Sequence, residues 1–483
     1  MDANRRALLI GGLAAAASVA VGGRAVAAAP ARHGSWPMPD IDGVVRTDPA
    51  SLAAAADDFG HIVHKTPLLV LEPGSSDDIV TALDYARRYN GKAAPQGQSH
   101  SVWGRAMTDG QGGVIDMTSL RSIGPVQNDR ITVDAGAKWS DVLRATLAQG
   151  KTPPVLTDYL ELSVGGTIVV GGVGSTTARY GLQADNLISM EVVTGKAQKL
   201  TCSPSTNSDL FNAVRAGLGQ VGVITKATLK LVAAPASVRR YQLTYPTLAA
   251  MLRDARLLSG DNRFDVVQGA IAFPPPPATN WAYRLDCAKF FTGTPPNDAT
   301  MLAGLTDNQA QRMLTTLTYF DYSNRLALLE AALRANGQWF YPHPWLTTFI
   351  GDSRVEAVVN DEVSRTNPAT DLGPFGQIVL SPLRRSTITS PLLRKPSDSL
   401  MYAFNFVRVP ATSDINNANR LVGINRGIYD RVRNAGGALY PVSAFPMSSN
   451  DWRNHFGSEF NRLNSAKTKY DPNDLLTPGY EVF

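Results

Sequence analysis

The sequence predicts an α+β protein built as two domains, and three observations point there. Helix-patterned and strand-patterned segments mix irregularly up to Val232. After Pro235 the texture changes: hydrophobic segments lengthen, and proline-rich breaks appear at Phe273–Ala278 and Thr292–Asp298. The length of 483 residues allows two domains or one large domain with an insertion. Apolar residues make up 44% and charged residues 18%, enough hydrophobic material for a sizeable core.

The elements follow in order. Arg5-Arg6, the apolar and small residues from Ala7 to Gly23, and Ala25, Ala27 and Ala29 form the pattern of a bacterial signal peptide. The paired arginines suggest the twin-arginine export route. We assign residues 1–30 to this signal and 31–44 to a linker. A strand is expected at Pro67–Leu71. A helix follows, capped by Ser75 or Ser76, with Ile79, Val80, Leu83 and Ala86 on its apolar face and Gly91 at its end. Gly112–Leu120 and Arg130–Gly136 read as strands. Trp139–Gly150 reads as a helix opened by Ser140 and closed by Gly150. Val164–Gly181 is glycine-dense. Ser208–Val232 is a helix, a glycine-rich turn and a strand. Asn324–Gly337 is a helix, the stretch around Val407 is a strand, and the tail to Phe483 carries turn residues without a helix.

Several chemistries are set aside. No G-x-x-x-x-G-K-[ST] loop, H-E-x-x-H or G-x-S-x-G motif is present. Two cysteines, Cys202 and Cys287, make neither a disulfide framework nor a zinc site, and no metal is expected. They are expected as buried free thiols, with one bridge the alternative. The net charge of +5 comes without a Lys/Arg-rich run, which argues against a nucleic-acid partner.

Three local features invite a chemical reading. The glycines of Val164–Gly181 either form tight turns or let main-chain N–H groups approach a phosphate. His100, in the loose stretch PQGQSHSVWGRA, is either a surface or hydrogen-bonding histidine, or a nucleophile given room by Ser99 and Ser101. Asp158 is either a turn residue after Pro153-Pro154, or a carboxylate beside a glycine-lined pocket that accepts a proton from an amine or alcohol.

Taken in order, GQSHSVWG, TDYLELSVGGT, ARYGLQADNLISMEVVTGKAQKLTCS, DLFNAVRAGLGQVGVITKATLKL, YPHPWLTTFI and the last 32 residues resemble the cytokinin dehydrogenases. These belong to the flavoprotein superfamily of vanillyl-alcohol oxidase and p-cresol methylhydroxylase. The resemblance runs from about residue 55 to the C-terminus and is most specific over 155–232, 341–350 and 452–483. It implies FAD linked covalently to His100, with no second link because residues 164–181 hold no cysteine. It implies that Pro95, Gln96, Gly97, Gln98, Ser99, His100 and Ser101 wrap the pyrophosphate and ring edge. Arg105 stands where plant members usually have Gln. Ser163, Gly165, Gly166, Val169 and Val173 would line the phosphate and ring face, Val223 in its turn would touch the adenine side, and Tyr480 stands at another frequent Gln. Asp158 matches the active-site aspartate, and Trp345 a residue at the substrate end.

The implied reaction is oxidation of the side-chain amine of an N6-substituted adenine, with oxygen or a quinone as electron acceptor. An FAD-linked oxidase of an alcohol, sugar or secondary metabolite is the alternative. The departures are Ser99 for glycine, Arg105 and Tyr480 for Gln, and Gln268 where Glu is expected. A split FAD domain is expected over 45–235 and 442–483, with a substrate domain over 236–441. Export leaves a periplasmic or extracellular protein with no stable membrane insertion after processing.

Overall fold

The computed structural model describes residues 40–274 and 280–483. The signal-type segment and part of the Phe273–Ala278 break lie outside the described residues. The chain is α+β. Its first four strands, Val44–Arg46, Leu69–Glu72, Lys92–Gln96 and Gly112–Asp116, form one sheet. Leu69–Glu72 and Lys92–Gln96 both run parallel to Gly112–Asp116, the strand between them. A second four-stranded sheet is antiparallel and has Arg130–Asp134 at one edge, beside Gly222–Lys230. An eight-stranded antiparallel sheet gathers all its strands from the stretch between Ser237 and Leu439. The helices Leu248–Asp261, Asp352–Arg365 and Ile415–Asn434 pack along it, one beside the next.

The helix expected after residue 75 spans Ser76–Arg88. Ser75 caps it, its hydroxyl accepting from the Asp78 N–H at 3.4 Å. Ile79 and Leu83 are fully buried one turn apart, each worth about 1.5–3 kcal/mol of hydrophobic stabilisation. Asp77 and Asp78 lie at its positive end, and Arg87 and Arg88 at its negative end. Asp78 also accepts from the N–H groups of Asp42, Gly43 and Gly74 at 2.7–2.8 Å, joining the first strand to this helix. Asn90, with φ 54°, turns the chain out of the helix in place of Gly91.

Three expectations change in detail. The helix predicted over Trp139–Gly150 spans Trp139–Leu147 and begins at Lys138 without a side-chain cap. Ser140 is not its cap because its first-turn N–H groups already have partners: Trp139 donates to the Leu162 carbonyl at 3.1 Å and Ser140 to that of Leu160 at 3.0 Å. The glycine-dense stretch holds two short helices, Val164–Ile168 and Thr177–Tyr180. The tail ends in a 3₁₀ turn, Pro478–Tyr480.

The C-terminal segment returns to the first sheet. Ala93 N–H donates to Leu475, and Thr477 N–H to Ala93, both at 2.9 Å. The turn before it is built on a buried ion pair. Lys467 Nζ meets Asp471 at 2.7 Å and Asp474 at 2.8 Å, while Asp471 accepts from the Leu475 and Leu476 N–H groups at 3.0 Å. Cys202 and Cys287 are both buried and free. Among the described residues, no helix is long and apolar enough to cross a membrane.

Candidate active site

A cavity of about 360 Å³ is walled by the His100 loop, the Asp158 segment, the glycine-dense stretch, the start of strand Gly222–Lys230, strands of the large sheet and the C-terminal turn. It holds Pro95, Gly97, Gln98, Ser99, His100, Ser101, Arg105, Asp158, Ser163, Gly165, Gly166, Val169, Val173, Val223, Trp345 and Tyr480. Gln96 is the exception. Its side chain is buried and donates to the Ala55 carbonyl at 3.3 Å, away from the cavity wall. Val223 sits in a strand, not in the turn before it.

The His100 loop is pinned from the side by residues 58–60. Phe59 N–H donates to Ser99 O at 2.8 Å, and Gly60 N–H to Ser101 O at 3.1 Å. The buried Asp58 carboxylate accepts from Ser101 Oγ and the Gly104 N–H, both at 2.7 Å. Ser99 has φ 50°, a left-handed conformation in which glycine is at ease and serine is strained. His100 stands among rings: its centroid lies 4.1 Å from that of Phe59 and 4.9 Å from that of Tyr159. Loss of solvent, then the nearby His343 and Arg334, push its pKa down to about 3. The imidazole is therefore neutral at physiological pH and keeps a nucleophilic lone pair.

Arg105 is 5% exposed. It donates to Phe445 O at 2.9 Å and to Gly479 O at 3.4 Å, and its Nε has no partner. Its guanidinium lies 5.3 Å from the Tyr480 ring centroid. Among the described residues no carboxylate lies within ion-pair distance of it. Burial lowers its pKa to about 10, so it stays charged. A buried cation with a spare donor beside a cavity fits an anionic ligand group. The glycines of the Val164–Gly181 stretch are required by the chain's own turns and packing. Gly172 has φ 75°, and a Cβ there would come within 2.3 Å of Gln183 Oε1.

Asp158 faces the cavity with both oxygens engaged. Arg325 Nη2 donates to Oδ1 at 2.6 Å, and Gln268 Nε2 to Oδ2 at 2.7 Å. Trp345 is fixed by its indole N–H, which donates to Arg408 O at 2.8 Å.

Residues 67–203 match the FAD binding domain family, and residues 297–483 the family described as "Cytokinin dehydrogenase 1, FAD and cytokinin binding". An uncharacterized oxidoreductase, ORF5 in the fasciation locus of Rhodococcoides fascians, is 39% identical over 92% of this chain and 99% of its own. Cytokinin dehydrogenase 10 of Oryza sativa subsp. japonica is 31% identical over 92% of this chain and 89% of its own. Cytokinin dehydrogenase 2 of Arabidopsis thaliana is 31% identical over 90% and 93%.

The chain belongs to the cytokinin dehydrogenase family. It is an FAD-dependent oxidoreductase. The family explains why a buried arginine, a glycine-dense wall and a neutral histidine share one cavity: together they suit a dinucleotide with an anionic middle and a planar ring. Sequence reasoning missed several residues that wall it or support it. Tyr440 lines it, and its hydroxyl accepts from the Gly172 N–H at 3.2 Å. Thr477 also lines it, its hydroxyl donating to Gly219 O at 2.9 Å. Arg325 holds Asp158 from behind. None carries a local motif, since each is brought in by a distant element.

Proposed function

We propose that this enzyme oxidises the side-chain amine of an N6-substituted adenine, with FAD carried covalently on His100. The observation that carries the reading is Asp158. It places a hydrogen-bonded carboxylate on the wall of the cavity that also holds His100, where a carboxylate has no evident duty in cofactor binding. Bound FAD supplies a two-electron acceptor that takes hydride from carbon. The substrate N–H proton passes to Asp158, the adjacent C–H leaves with its electron pair, and a C=N bond forms. Water then adds to the imine and releases adenine and an aldehyde. Trp345, Phe406 and the other apolar wall residues exclude water from the reacting carbon. The neutral His100 ring, free to attack an electrophilic carbon, supports the covalent link. The arginine pair at residues 5–6 supports export through the twin-arginine route, and the FAD domain is read as split over 45–235 and 442–483.

The substrate test is anaerobic mixing with isopentenyladenine. Flavin bleaching is expected. Bleaching by a sugar or benzylic alcohol instead would transfer the reading to the alternative oxidase. Asp158→Asn should slow that reduction at least hundredfold, the usual scale of a general base being roughly 10²–10⁴. The yellow colour should stay with acid-precipitated protein and be lost in His100→Ala. Reoxidation rates with oxygen and with a quinone identify the acceptor.

A further inference from the structure

We propose that Arg325 and Gln268 are positioning residues that hold the Asp158 carboxylate in one orientation, aimed into the cavity as an acceptor for the substrate N–H. The inference rests on the reading of Asp158 as proton acceptor and deepens it.

The geometry allows one arrangement only. A guanidinium has N–H donors and no acceptor. Arg325 Nη2 reaches both Asp158 Oδ1 at 2.6 Å and Gln268 Oε1 at 3.4 Å. The glutamine must therefore turn its oxygen to the arginine and its NH₂ to the aspartate, where Nε2 donates to Oδ2 at 2.7 Å. These contacts fix the amide orientation. Both carboxylate oxygens then receive donors, one of them cationic.

The cation is well placed to act. The Arg325 side chain is 13% exposed and that of Asp158 33%. The guanidinium lies 4.8 Å from the centroid of the Tyr322 ring, and Nη1 donates to Tyr322 O at 3.3 Å. Burial works against its charge, but Asp158, Tyr322 and Asp286 together outweigh this and hold Arg325 above its ordinary range. The other charged groups around the pair are mostly matched. Behind Arg325, Asp286 is paired with Arg240 at 2.9 Å. The Tyr322 phenol is buried. On the segment of Asp158 itself, Tyr159 interacts with Glu330 and Arg334, and Glu161 pairs with Lys138 at 3.0 Å. Arg325 is thus the cation in direct contact with the carboxylate.

The consequence is orientation. With one donor fixed on each oxygen the carboxylate is held against rotation, and its remaining lone pairs are left for the substrate N–H.

The test uses the full flavin-loaded enzyme, isopentenyladenine and anaerobic stopped-flow reduction over a range of substrate concentrations. Arg325→Met should lower the limiting reduction rate about 10–100-fold, the scale of a misplaced reacting group, with little change in the half-saturating substrate concentration. Arg325→Lys, which keeps a donor for Oδ1, should recover most of that rate, and Gln268→Leu should lose less than Arg325→Met. Equal losses in Arg325→Met and Arg325→Lys, or a loss carried entirely by weaker substrate binding, would overturn the proposal. Should Arg325→Met not fold, an unchanged limiting rate in Gln268→Leu overturns it equally. A fully active Asp158→Asn would instead remove the underlying reading of Asp158.

Discussion

Asp58 gives the most quantitative prediction. It is 3% exposed and accepts from the Gly60 N–H at 3.0 Å and from Ser101 Oγ and the Gly104 N–H at 2.7 Å. Burial raises its pKa from 3.8 to about 6 against the pull of these donors. The rise is about 2.2 units, and at 1.36 kcal/mol per unit the linked stability is about 3 kcal/mol. The sign follows from the direction. Below about pH 4 the carboxyl is protonated in both states and its contribution is complete. As pH climbs, the unfolded chain releases the proton first while the folded chain still binds it, so stability falls. The loss ends just above the folded pKa near 6. Asp58→Asn abolishes the titration. Urea unfolding of both proteins between about pH 4 and pH 7 isolates the group from all others. The wild-type advantage over the variant should shrink by about 3 kcal/mol across that range. A flat difference, or one that grows with pH, refutes the reasoning and means that the three donors balance or outweigh burial. The fraction of acid-stable flavin should also drop in the variant, because Asp58 ties the loop that carries His100.

Two further changes probe the cavity walls. Lys467→Met leaves Asp471 buried without its cation and should cost about 3–5 kcal/mol in urea unfolding, with less flavin incorporated as the C-terminal turn loosens. Gly172→Ala places a side chain at φ 75° and against Gln183, which should cost about 1–3 kcal/mol and lower flavin content at purification. Gln183→Ala should relieve only the contact part of that loss.

The sequence by itself determined the α+β class and most of the cavity's contributors. Short-range chemistry writes these locally. Ser75 announces a helix start, alternating residues announce strands, and the His100 loop and glycine-dense stretch are contiguous. Asp158 lies within seven residues of Gly165-Gly166. Where such local reading slipped, as at Ser140, a distant carbonyl had already satisfied the N–H group that a cap would serve. Tertiary structure alone decided the surroundings of the chemistry. Arg325 is 167 residues from Asp158, and Gln268 is 110 residues away. Tyr440 reaches a glycine 268 residues back. The reason is physical. Propensity and periodicity act over one or two turns, whereas a buried charge takes whichever partner packing brings within 3 Å, and that partner leaves no mark in the flanking sequence.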